Sequence, residues 1–174
     1  MIAWINGPFG VGKSTVAERL AREWPGATLF DPELLGYLLR TWTPPDVVVD
    51  DFQDLPVWRA LVRTTARELL EDLGRPLVVP MTLLHPPYHD EVVGGLVQDG
   101  IDVRHVCLTA RRGTVLARAR ARDGAVNPFI GARFDSHERS LRDPRFATFV
   151  ATDDRDEDEV YREVRRALGP LPTG

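Results

Sequence analysis

Lysine is nearly missing from this chain: among 22 basic side chains in 174 residues, only Lys13 carries an ammonium and the other 21 are arginine. A regulatory GTPase reads guanine through an Asn-Lys-x-Asp segment, and no second lysine exists to supply one. That class is excluded. Cysteine is equally scarce. Cys107 alone can close no internal disulfide, which fits a reducing, cytoplasmic setting, and its place in an apolar run suits an inert core thiol better than a nucleophile. Long hydrophobic runs are lacking too. Leu77 to Leu84 is broken by Pro80 and Thr82 and falls short of the roughly 18 residues needed to cross a bilayer, so a soluble protein is expected. Met1 to Ile5 is apolar but has no basic stretch before it and stops at Asn6-Gly7, so no secretory signal is expected. There is no surplus of positive charge. The 26 acidic residues give a net charge of -4, which leaves no general basic field for nucleic acid, so any anion must be bound by a local site.

What is present is an ordinary globular balance, 43% hydrophobic and 28% charged, enough to build one core. The length suits a single domain over residues 1–174, with a frayed tail from Gly169 to Gly174. Short apolar runs alternate with amphipathic stretches, the pattern of a parallel sheet covered on both faces. Strands are predicted at Ile2–Ile5, Thr28–Phe30, Leu77–Met81, Val103–Thr109 and Phe146–Ala151. Helices are predicted at Lys13–Trp24, Pro32–Arg40, Pro56–Leu73, Tyr88–Gln98, Gly113–Arg122, Phe134–Leu141 and Asp156–Leu168. The Thr43-Pro44-Pro45 and His85-Pro86-Pro87 patches read as loops. The fold expected is α/β: three layers, with a five-stranded, mostly parallel sheet between helices.

The sole lysine falls in Gly7-Pro8-Phe9-Gly10-Val11-Gly12-Lys13-Ser14, followed by Thr15. This matches Gly-x-x-x-x-Gly-Lys-Ser and stands between a predicted strand and a predicted helix, the context a phosphate-binding loop (P-loop) requires. Glycines let successive backbone N–H groups turn inward, and the helix N-terminus adds its partial positive charge. Lys13 is placed across the β- and γ-phosphates of a nucleoside triphosphate, and the Ser14 hydroxyl on Mg²⁺. The fold therefore reads as that of a P-loop NTPase. A dinucleotide fingerprint is the rival, since Asp31 follows Gly12 by 19 residues, but its third glycine is replaced by Thr15.

Motor and remodelling ATPases end their third strand in an acid that holds Mg²⁺. Leu77-Val78-Val79-Pro80-Met81-Thr82 offers none, which leaves small-molecule phosphotransferases. Asp31, at the end of the second strand, faces the γ-phosphate region, where a carboxylate can take the proton of an attacking hydroxyl. Asp31-Pro32-Glu33 is also a good helix start, and both roles are compatible. Asp50-Asp51-Phe52-Gln53 with Trp58 and Arg59 suits a base or sugar, although Phe52 and Trp58 serve equally as core packing. Arg63 and Arg67 continue from Arg59 toward Glu71 and read as solvated ion pairs. Five arginines, Arg111, Arg112, Arg118, Arg120 and Arg122, crowd a segment with only Asp123 nearby to answer them. They suggest a lid over about residues 111–130. Arg118 and Arg122 are candidates to stabilise the migrating phosphoryl group, and Arg111, on the same helical face, to bind nucleotide. His85 and His89 are four apart, but the intervening prolines argue against a shared metal.

The chain resembles the tunicamycin-resistance ATP-binding protein family. The resemblance rests on Ile5-Asn6-Gly7 leading into the loop, Asp31-Pro32-Glu33, Asp50-Asp51-Phe52-Gln53 with Trp58-Arg59, and Val79-Pro80-Met81-Thr82 with His85-Pro86. It covers about the first half of the chain. It implies ATP as the nucleotide, a fold similar to nucleoside and nucleotide kinases, and protection against a lipid-tailed nucleoside antibiotic. Peripheral membrane association occurs in some members. Two readings follow. One is phosphotransfer to a hydroxyl of a nucleoside-like molecule held by Asp31, Phe52, Gln53, Trp58 and Arg59. The other is ATP-dependent sequestration without chemistry.

Overall fold

The computed structural model describes residues 1–44, 46–47, 49–124, 134 and 136–172, the side chains of Arg122 and Asp123 excepted. At its centre β1 (Ile2–Asn6) lies between β3 (Leu77–Pro80) and β4 (Val103–Thr109), with β2 (Thr28–Leu29) and β5 (Phe149–Ala151) outside them. The order is β2-β3-β1-β4-β5 and every pairing is parallel. Strands buried on both faces need apolar residues at successive positions, which is why β1 and β3 show no polar alternation. Ala3, Ile5 and Val78 pack with Val16, Ala17 and Leu20 of α1 (Lys13–Glu23). The alternate residues Ile2, Trp4, Leu77 and Val79 join Leu39 of α2 (Glu33–Trp42) and Trp58, Val62 and Ala66 of α3 (Pro56–Leu73). The three layers follow directly.

Helix α3 has the bounds expected of it, since Pro56 opens it and Gly74 closes it in the left-handed conformation at φ 60°. Two elements differ from those expected. Pro86 and Pro87 do not form a loop but the first turn of α4 (Pro86–His89), which continues through a π-helical segment, Asp90–Gly94, into α5 (Gly95–Gln98). First-turn residues need no N–H partner, so proline fits there. The fifth strand does not begin at Phe146. Pro144–Phe146 forms a 3₁₀ turn in which the Asp143 carboxylate accepts from the Arg145 amide at 3.0 Å. Phe146 is thereby turned into a buried cluster with Leu84 and Cys107.

Helix α6 (Arg112–Asp123) follows β4, and α7 (Glu157–Leu168) closes the described chain behind α1, its Val160 and Val164 joining the first core. Of the predicted helix Phe134–Leu141, Phe134 and residues 136–140 are helical, while 125–133 and 135 lie outside the described residues. Close packing on the β2 side depends on Gly36. A Cβ there would meet the Phe52 ring at 2.5 Å, so α2 can lie against the Phe52–Asp54 turn only because the position has no side chain. Among the described residues no helix is long and apolar enough to cross a membrane.

Candidate functional site

The loop 7–12 leaves the carboxyl end of β1, where open parallel sheets bind ligands. Its first residue admits no substitute: Gly7 has φ 134°, and an added Cβ would stand 2.3 Å from the backbone oxygen of Leu108. Asn6, fully buried, fixes this starting point. Its side-chain oxygen accepts from the amides of Gly7 at 2.8 Å and Leu83 at 2.9 Å, and its Nδ2 donates to the Leu83 carbonyl at 2.9 Å. Thr82 adds a second brace, its hydroxyl donating to the Gly7 carbonyl at 2.9 Å. Gln53 Nε2 in turn donates to the Thr82 carbonyl at 2.9 Å. Neither the Asn6 nor the Thr82 side chain has a role that the sequence announces. The one local signal was a polar residue ending an otherwise apolar strand.

Lys13 opens α1 immediately after Gly12, whose backbone is left-handed at φ 98°. Its Nζ donates to the Pro8 carbonyl at 2.8 Å, closing the loop on itself, and lies 5.6 Å from the centre of the Phe9 ring. Burial pulls the ammonium down to about 8, against the opposing pull of Glu33. This has a measurable consequence. A bound polyphosphate stabilises the charged form, so above about pH 8 ATP binding should take up a proton at Lys13 and affinity should fall as pH rises. Calorimetry at pH 7 and pH 9 in buffers of different ionisation heat checks both, and equal affinity with no proton uptake at pH 9 would contradict it.

Lys13, Ser14, Thr15, Asp31, Glu33 and Arg118 line one open cavity of about 500 Å³. Asp31 also does the helix-start work expected of it, its carboxylate accepting from the Glu33 amide at 2.9 Å. The exposed Ser14 hydroxyl and the Asp31 and Glu33 carboxylates offer hard oxygens to the same space, a donor set that suits Mg²⁺. A second space of about 280 Å³ lies on the other side of the loop, walled by Val11, Gly12, Thr15, Arg118 and Thr152. Arg118 therefore borders both cavities. It is held there from the end of β5, donating to the Thr152 hydroxyl at 2.9 Å and the Thr152 carbonyl at 2.8 Å.

Other candidate residues are placed differently. Arg111 precedes α6 in extended conformation, so it does not share a helical face with Arg118. It borders neither cavity and is ion-paired with Asp153, at 3.3 Å, and Asp154, acidic residues that follow β5 and answer it across the fold. The Arg122 side chain lies outside the described residues. Trp58 is not a surface for stacking: it is fully buried, with its indole N–H donating to the Pro32 carbonyl at 3.1 Å. Phe52 is buried against it at a ring separation of 5.2 Å. Both are core residues, packed in one cluster with Leu39 of α2 and Val79 of β3. Arg59 is also buried. It donates to Glu91 and to the Gln53 carbonyl, both at 2.5 Å, and its guanidinium lies 4.2 Å from the Tyr88 ring centre. Arg63 pairs with Asp99 and Arg67 with Glu68, rather than with Glu71.

Cys107 lies buried beneath the site, and burial pushes its thiol up to about 12, as an inert core residue requires. The histidines diverge for a reason other than a broken helix. His85 is exposed, its ring tilted against that of Tyr88 at a centroid separation of 4.0 Å, whereas His89 is turned inward against His105 at 5.2 Å. Burial brings His105 down to about 4 and lowers His89 as well. Among the described residues no group of three possible ligands could hold a metal by protein contacts alone.

A glycine-bounded phosphate loop after the central strand of a 2-3-1-4-5 parallel sheet, with an acid and an arginine across the cavity, defines a P-loop, kinase-like nucleotide-binding protein. The AAA domain family matches residues 2–144. A structure of the Deinococcus radiodurans tunicamycin resistance protein is similar over 98% of this chain and 96% of its own, with 32% identity and a TM-score of 0.81. The chain thus belongs to the AAA domain family and to the family of the tunicamycin resistance protein. A gluconokinase from Sinorhizobium meliloti 1021 shares the fold at 22% identity and a TM-score of 0.64, over 95% of this chain and 90% of its own. A sugar kinase from Janibacter sp. HTCC2649 does so at 20% identity and 0.64, over 96% and 91%. No curated protein matches the sequence significantly.

Proposed function

We propose that the protein is a cytoplasmic small-molecule kinase that transfers the γ-phosphoryl group of ATP to a hydroxyl of a nucleoside-like acceptor, in the manner of an antibiotic-resistance enzyme. The observation that carries this reading is the convergence of Lys13, Asp31 and Arg118 on one cavity. The backbone amides of residues 10–12 and the α1 N-terminus receive the polyphosphate, and Lys13 exchanges the Pro8 carbonyl for phosphate oxygen. Ser14 would hold Mg²⁺, which when bound neutralises charge on the phosphate oxygens. Asp31 accepts the proton of the acceptor hydroxyl as its oxygen bonds to phosphorus, and the bond from phosphorus to the bridging oxygen of ADP breaks. Arg118, which lines the same cavity, stabilises charge on the migrating group.

The test is incubation with ATP·Mg²⁺ and tunicamycin, then with a panel of nucleosides and sugars, followed by mass spectrometry. The expected result is a product heavier by one phosphoryl group, formed with one ADP. Saturable binding of ATP and tunicamycin with no phosphorylated product from any acceptor would instead identify a sequestering protein.

A further inference from the structure

The kinase reading makes no use of His105, a β4 residue in register with Trp4 of β1. Its Nε2 lies 3.1 Å from Nδ2 of Asn6, the residue that holds the start of the phosphate loop. Asn6 itself decides which of these two atoms carries the proton. Its side-chain oxygen accepts from two backbone amides, those of Gly7 and Leu83, so turning the amide over would set donor against donor at both. Nδ2 is then the atom that faces His105. One of its two hydrogens goes to the Leu83 carbonyl, which leaves the other for His105 Nε2. The ring must therefore present a lone pair there and carry its proton on Nδ1. With that bond Asn6 makes all four hydrogen bonds open to its side chain, at a position with no solvent exposure.

A ring that accepts at Nε2 has to be neutral. Burial holds it so, pulling its ionisation down to about 4, with His89 adding to that pull and a hydrogen bond to the Ala147 backbone opposing it. His89 packs edge-on at a ring separation of 5.2 Å, and Phe146 of the 3₁₀ turn lies 6.3 Å away. The charged groups that act on His89 in turn are Asp90, Arg145 and Asp143. A proton on Nε2 would put N–H against N–H, and the Asn6 amide could relieve that only by giving up its bonds to Gly7 and Leu83. Gly7 has no slack to absorb the change, since it lies close against the Leu108 carbonyl. We infer that His105 is a positioning residue for nucleotide binding: as a neutral hydrogen-bond acceptor it fixes the Asn6 amide, and through that amide the Gly7 end of the phosphate loop. The inference rests on the nucleotide-binding half of the kinase reading and needs no phosphoryl acceptor.

The full chain is compared with His105→Leu, which keeps the bulk but has no lone pair, and with His105→Gln, whose side-chain carbonyl can take the Asn6 hydrogen. Calorimetry with ATP·Mg²⁺ should show affinity weakened about fivefold in His105→Leu and recovered to within about twofold in His105→Gln, because nucleotide then has to select a less populated loop conformation only in the first. In an Asn6→Ala background, itself weakened, His105→Leu should cost no further affinity, since the coupling runs through the missing amide. Thermal midpoints establish which variants are folded. A role in packing alone would lower the midpoint of His105→Leu and leave its affinity unchanged. One measurement needs no variant: ¹⁵N NMR of the unsubstituted chain at pH 7 should find the His105 proton on Nδ1 and Nε2 bare. A proton on Nε2, unchanged affinity in folded His105→Leu, no recovery in folded His105→Gln, or an undiminished loss on the Asn6→Ala background would each overturn the inference. Failure of the unsubstituted chain to bind ATP, with the His105 proton found on Nδ1, would instead refute the phosphate-loop reading.

Discussion

Lys13→Ala should weaken ATP·Mg²⁺ binding by about a hundredfold, the ~2–3 kcal/mol expected for hydrogen bonds to a charged partner. The chain has no other lysine to substitute for it, and Arg118, which lines the same cavity, is tied to Thr152. The fold should survive the change. Lys13 has its charged form disfavoured by burial, with a folded value near 8 against an ordinary 10.5. At pH 7 the folded protein therefore holds the cation at a cost, and stability linked to this group rises with pH between about 8 and 10.5. Removing it relieves that cost and offsets the lost bond to Pro8. Calorimetric affinity read beside the thermal midpoint separates the two effects. Unaltered affinity in a folded variant would overturn the phosphate-loop assignment itself.

Asp31→Asn should lower turnover by about a thousandfold, within the 10²–10⁴ typical of losing a general base, and leave ATP affinity nearly as it was. The substitution is chosen for its geometry. An asparagine retains the side-chain oxygen that accepts from the Glu33 amide at 2.9 Å, so the start of α2 is kept while the proton acceptor is lost. Steady-state turnover with an acceptor that the protein phosphorylates, paired with ATP titration, reads both quantities. Full turnover in this variant would place the base elsewhere, and a parallel loss of ATP affinity would make Asp31 a binding residue instead.

What was legible in the sequence was local. The Gly7–Ser14 spacing, the lone lysine and the carboxylate after the second strand act over a few residues, and Gly10, Gly12, Lys13, Ser14 and Asp31 line one cavity. The bounds of α3 were legible for the same reason, since Pro56 and Gly74 punctuate it by their own backbone preferences. What was hidden depends on contacts across long stretches of chain. Asn6 meets Leu83 and Thr82 meets Gly7 over 77 and 75 residues, and nothing in either neighbourhood announces its partner. Arg111 finds Asp153 only because β4 and β5 are adjacent. Phe52 and Trp58 were open between packing and binding because an aromatic side chain suits both. Burial in the core cluster between α2, α3 and the sheet decides it. The prolines at 86 and 87 were read by their habit in loops, whereas the helix uses them at its first turn.

The bonds that Asn6 makes to Gly7 and Leu83 come entirely from within the sheet and the segments leaving it. The mouth of the phosphate loop is thus preorganised, and little conformational entropy remains to be surrendered there when a nucleotide arrives. Adaptation to different acceptors then falls to the opposite walls, contributed by segments far from β1, while the cradle itself behaves as a rigid die.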